Sequence, residues 1–172
     1  MPFAPTTWKA GREPSGRIGR TLAEVCADLV IADAGRSLVA GVESAPDGPG
    51  QGPVAALLGA ARRRPGRALL VLACDLPRVP AELLRRIAAA PGDWVAPRHA
   101  GGIEPLCALY RPRAIAALET QVRRGDLALH HLAETDLEIR YLDPDSLADL
   151  GDPRDLFANV NTPDDLRRLG MP

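Results

Sequence analysis

Apolar positions along the chain switch between two periods, and the switching predicts most of its elements. "DLVIAD" (28–33) and "ALLVLAC" (68–74) are aliphatic runs of strand length, and the second is continuous, the pattern of a strand covered on both faces. Between them Val54, Leu57, Leu58 and Ala61 fall at i, i+3, i+4 and i+7, which predicts a helix with one apolar face. Leu83, Leu84, Ile87 and Ala88 predict the next helix. "WVAP" (94–97) and "PLCALY" (105–110) read as strands joined by the turn-rich "RHAGGIE", a pair free to run antiparallel. Ile115, Leu118 and Val122 give another helix, "LALHHLAE" (127–134) a further one, and "LEIRYL" (137–142) a strand. Thr162 as cap, Pro163 at the first helical position, and Asp164 and Asp165 in the first turn announce a closing helix.

Strands alternating with helices predict an α/β fold with a mostly parallel sheet, mixed where the strands near 94–110 pair. Residues 28–172 read as a single domain, with 1–27 as an atypical N-terminal segment that carries no aliphatic strand. A net charge of −1 gives no sign of a nucleic-acid stripe or a membrane patch. No apolar run approaches the roughly 20 residues of a membrane span, and the first twenty residues lack a secretory apolar stretch. A cytoplasmic location is therefore expected. Cys26, Cys74 and Cys107 are widely spaced and read as reduced apolar side chains.

Three segments carry candidate chemistry. Asp75 ends the most apolar run in the chain, where open α/β sheets bind ligands. It either caps the turn "DLPRVP" or offers Mg²⁺ a carboxylate, the rest of the shell coming from water and phosphate. In "PDGPGQGPVAALLGA" (46–60) a glycine- and proline-rich loop enters an amphipathic helix, without the spacing of a P-loop or dinucleotide fingerprint. Such a loop is either a connector or a close backbone approach to a ligand. Asn159 and Asn161 alternate ahead of the last helix and would face one way if extended.

Taken in order, "GPGQGPVAAL", "ACDLPRVP", "EPLCALY" and "NVNTPDDL" resemble the molybdenum cofactor guanylyltransferases, within the wider group of nucleotidyltransferases. The resemblance covers about residues 28–172 and implies a three-layer αβα Rossmann-like fold. It implies transfer of GMP from GTP to the phosphate of molybdopterin, with Mg²⁺ as cofactor. Asp75 matches the metal-binding aspartate, Asp47 an aspartate of the nucleotide site, and Gly52 and Pro53 the pair that brackets the base. Asn159 and Asn161 match asparagines near the reacting phosphates and the pterin. GTP, molybdopterin and molybdoenzyme maturation proteins are the implied partners. Cytidylyl or other nucleotidyl transfer, and non-catalytic binding of molybdopterin or of a partner protein, are the alternatives.

The chain departs from the family at its start. The family opens with a strand and a loop of the form L-A-G-G-x-S-x-R-M-G, followed by Asp-Lys. "KAGREPSGRIGRTL" (9–22) echoes it faintly and with the wrong spacing, in Ala10-Gly11 and then Ser15-Gly16-Arg17-Ile18-Gly19; Thr21-Leu22 stand in place of Asp-Lys, and Gly35 replaces a family asparagine. The ten residues after Gly19 look too few for the usual helix before the strand at Asp28. Either this phosphate loop is lost, or Arg17 and Arg20 supply its charge; the missing lysine favours loss, hence weak GTP binding and slow turnover. His130 and His131 point apart on a helix, the arginines at 62–64 and 67 suit a solvated helix end, and the five aspartates of 142–155 lack calcium-loop spacing.

Overall fold

The structure, a computed structural model, describes residues 14–160 and 162–168. In chain order its elements are α1 (Pro14–Ala23), β1 (Val30–Ala32), β2 (Glu43–Ala45), α2 (Gly52–Arg63), β3 (Leu69–Leu72), α3 (Ala81–Ala89), β4 (Trp94–His99), β5 (Gly102–Ile103), β6 (Cys107–Tyr110), α4 (Pro112–Arg123), β7 (Ile139–Leu142), α5 (Pro153–Leu156) and α6 (Pro163–Arg168). Single 3₁₀ segments occupy Leu129–Glu134 and Pro144–Leu150.

Strand alternation divides the interior in two. Trp94 and Ala96 of β4, Ala108 and Tyr110 of β6, and Leu69 and Val71 of β3 face α2, α4 and the Leu129–Glu134 turn. Val95, Cys107, Leu109, Leu70 and Leu72 face the other way, onto α3, α5 and the Pro144–Leu150 turn. The result is a three-layer α/β fold with a mixed sheet. β6 runs antiparallel to both β3 and β4, so those two share a direction; β7 adds parallel to β4, and β5 is a short hairpin partner of β4. β1 and β2 pair in parallel as a separate two-stranded sheet. Arg64, at the end of α2, bonds Glu43 of β2 at 2.8 Å and also Asp28 ahead of β1. The arginine run is thus partly a structural tie rather than only a solvated helix end.

Three expectations change. Residues 15–19 are not a loop but part of α1, so a helix does precede β1. Ile18, Leu22 and Val25 recur at i, i+4 and i+7: Ile18 is buried, and the other two pack on the α3 side of the core. Leu129–Glu134 is 3₁₀ rather than α, with buried Leu129 and Leu132 one three-residue turn apart. β2 was not foreseen, because three residues with only Ala45 buried leave no readable alternation.

The loop before α2 is held by a backbone approach that only glycine allows. A Cβ on Gly59 would lie 2.0 Å from the carbonyl oxygen of Pro46, and the Gly48 N–H donates to Ala55 O at 2.7 Å. Because the obstructing atom is backbone, Gly59→Ala is expected to lower unfolding free energy by about 1–3 kcal/mol in urea titrations. An unchanged midpoint would show that the loop yields freely.

Candidate functional site

Beyond the end of β3 the chain turns sharply. Leu72 stands opposite Cys107 in the β3–β6 register, and the Ala73 N–H still donates to Leu106 O at 2.8 Å. Past that contact the ladder ends: the Cys107 N–H closes a turn onto Glu104 O at 3.2 Å, and the Asp75 charge reaches the Glu104 carboxyl. The turn after Asp75 is closed by backbone bonds, Leu76 N–H to Ala73 O at 3.3 Å and Val79 N–H to Leu76 O at 3.4 Å. The Asp75 carboxylate takes no part in them and makes no hydrogen bond or ion pair among the described residues. The turn-capping alternative therefore finds no donor. Instead the Asp75 carbonyl accepts the Val160 N–H at 2.9 Å, drawing the segment after α5 against the end of β3.

That bond places exposed Asn159 one residue from the Asp75 contact. Asn161 lies outside the described residues. Asp47, Gly52 and Pro53 are exposed at the start of α2, after the C-terminal end of β2 just as Asp75 follows that of β3. Gly50 and Gly52 hold φ of 99° and 62°, and Gln51 at the N-cap makes no side-chain cap bond. No hydrogen bond or ion pair among the described residues joins this loop to Asp75. The structure thus brings Asp75 and Asn159 together and leaves the glycine loop as a separate wall.

Two further side chains belong to this end of the sheet. Glu104 is half-buried; burial first, and then the negative charge of Asp75, push its carboxyl above the ordinary range, against a lowering hydrogen bond from the Leu106 N–H. His99, at the end of β4, stacks on buried Phe157 with ring centroids 4.9 Å apart and planes 14° apart. Its Nδ1 accepts the Gly101 N–H at 3.1 Å, so the neutral ring carries its proton on Nε2. Glu104 opens "EPLCALY" and His99 precedes a Gly-Gly turn, but only the β3–β6 and β4–β6 pairings reveal that both reach one edge.

Among the described residues, the buried carboxylate lies elsewhere. Asp33, following β1, accepts from the Leu38 N–H at 2.8 Å, from the Arg36 N–H at 3.2 Å and from the Ser44 hydroxyl. Burial opposes its charge, yet these donors hold the carboxyl below its usual range. Gly35, where the family has asparagine, takes φ 77° in the same turn and donates its N–H to Ala45 O at 3.0 Å.

The model of the MobA-like NTP transferase domain matches residues 7–138. The chain belongs to that family. A probable molybdenum cofactor guanylyltransferase of Pelotomaculum thermopropionicum is 34% identical over 168 residues, covering 92% of this chain and 80% of the relative. One from Nostoc sp. is 35% identical over 109 residues, covering 57% of this chain and 46% of its own length. This MobA-like chain therefore spans less than half of the Nostoc relative. Among solved structures, molybdopterin-guanine dinucleotide biosynthesis protein A from Archaeoglobus fulgidus matches with TM-score 0.62 and 30% identity, over 74% of this chain and 66% of that one. A putative protein of Aquifex aeolicus, with TM-score 0.54 and 17% identity over 70% of this chain and 63% of that one, shares the fold.

The raised carboxyl of the MobA-like chain makes a signed prediction. Glu104 prefers its proton in the folded state, so its ionisation removes stability as pH rises from the ordinary carboxylate range through its raised value. Glu104→Gln should melt higher than the parent at neutral pH, with the difference vanishing below the unfolded carboxyl pKa. Melting curves across acid and neutral pH check this; a difference that grows toward acid contradicts it.

Proposed function

We propose that this chain transfers a nucleotidyl group, GMP from GTP, to the phosphate of molybdopterin. The names of its relatives support the reaction class. One observation supports the site: beyond β3 the Asp75 carboxylate has no hydrogen-bond partner among the described residues, its charge reaches the Glu104 carboxyl, and its carbonyl ties it to the Asn159–Val160 segment. The acceptor phosphate oxygen attacks the α-phosphorus, a new P–O bond forms, and the bridging bond to the β-phosphate breaks to release pyrophosphate. Such transfers depend on alignment and charge neutralisation more than on side-chain nucleophiles.

In this reading Asp75 and Glu104 hold Mg²⁺. Both side chains offer the hard oxygen donors that suit a cation completing its shell with water and phosphate. When bound, the cation supplies charge neutralisation at the phosphates. Asn159 and Asn161 orient phosphate and pterin as neutral partners, and Asp47, Gly52 and Pro53 border the base.

A second reading, binding of molybdopterin without turnover, has its own support. Ser15–Gly19, the part of the phosphate-loop echo that lies among the described residues, is helical, and Ile18 within it is buried. GTP binding by the isolated chain is therefore weak and turnover slow.

Pyrophosphate release from Mg²⁺, GTP and molybdopterin tests the main reading. Slow release that Asp75→Asn lowers by about 10²-fold, or that chelation of Mg²⁺ abolishes, is expected. Release equally fast in Asp75→Asn overturns it, while molybdopterin binding with no release supports the second reading.

A further inference from the structure

Leu127 is large, apolar and 40% exposed, and it belongs to neither apolar cluster. What it covers is the glycine loop. A Cβ built on Gly50 would meet Leu127 Cδ2 at 3.4 Å, Val122 Cγ1 at 3.4 Å and Val54 Cγ1 at 3.1 Å. Gly50, at φ 99°, therefore rests on a small apolar seat made by the end of α4, the turn beyond it and the start of α2. The Gly50 N–H and the Gln51 side chain make no hydrogen bond among the described residues. The outer turn of the loop is thus held by that seat, with the Gly48 N–H bond behind it.

The turn that carries Leu127 is locked from both flanks. Gly125, at φ 82°, reverses the chain after α4, and the Asp126 N–H donates back to Gln121 O at 3.0 Å. Three donors converge on the Asp126 carboxylate: the Ala128 N–H at 3.1 Å, Gln121 Nε2 at 3.2 Å and His131 Nδ1 at 3.0 Å. Gln121 Nε2 also donates to Ala128 O at 3.2 Å. The Ala128 bond first, and then the His131 bond, hold the Asp126 carboxyl below its usual range. Leu127 lies between two residues that these bonds fix. Core packing does not require it there, since Leu129 and Leu132 are the buried residues of this segment.

We propose that Asp126 and Leu127 are positioning residues for the nucleotide, a role that rests on the reading above that the glycine loop borders the base. Asp126 acts through Leu127, and Leu127 through Gly50, so the lock sets the height of the loop. Neither side chain touches the substrate. Without the seat the loop shifts, and the nucleotide loses a preorganised backbone partner. The Asn159 segment shares no hydrogen bond or ion pair with this turn among the described residues, so acceptor binding is spared.

Pyrophosphate release, with GTP and molybdopterin varied in turn, tests this alongside amide hydrogen exchange of the full chain. Leu127→Ala and Asp126→Ala should each raise the KM for GTP about tenfold, with kcat and the KM for molybdopterin within about twofold of the parent. Leu127→Met, which keeps the contact, should keep the parent KM. In the chain alone, both alanine variants should speed exchange at the Gly50 and Gln51 amides by about tenfold, while Leu118 in α4 stays slow. No release by the parent ends the transfer reading alone; loop exchange, and the GTP dissociation constant by calorimetry in place of KM, then decide the positioning role. Five results overturn the proposal: an unchanged KM for GTP, an equal rise for molybdopterin, loop amides at the parent rate, exchange sped throughout α4, or a Leu127→Met no better than alanine.

Discussion

The antiparallel contact between β3 and β6 is the constraint on which the rest of the molecule turns. Its register, with Leu72 opposite Cys107, decides which aliphatic side chains enter each of the two cores. A slip by one residue would send Trp94-facing side chains to the α3 layer and the reverse. The turns that leave its paired ends bring the Asp75 charge to the Glu104 carboxyl. Core and site are therefore specified by one pairing, and a change made to improve packing there also moves the carboxylates.

This coupling explains an uneven distribution of polarity. Interior positions near the site are satisfied by backbone: Tyr110 Oη donates to Pro105 O at 2.8 Å, and the Glu104 N–H to Pro97 O at 3.0 Å. The loop carrying Glu104 is thereby fixed at both ends while its carboxyl remains uncomfortably desolvated. A group held at a cost in a rigid frame is ready for a positive partner without rearrangement.

Much of the fold was legible because its signals were periodic. α2, α3, α4 and the strands β3, β4, β6 and β7 follow from apolar spacing alone. β2 was invisible because it is short and mostly exposed, and α1 was obscured by Gly16, Gly19 and two arginines around its narrow apolar stripe. At the site, Asp75 was legible from its place at the end of an aliphatic run. Glu104 and His99 were not, since their positions depend on a strand crossing opposite in direction to its neighbours, which no local pattern records.

The separateness of the β1–β2 pair has a dynamic consequence. No ladder bond among the described residues links it to the five-stranded sheet, so its attachment passes through α2 and the Arg64 junction. Secondary structure joined by one helix and a few ionic contacts opens more readily than the interior it leans on. The glycine loop, bonded to α2 through the Gly48 N–H and Ala55 O, would stay with α2 and the core while the pair opened.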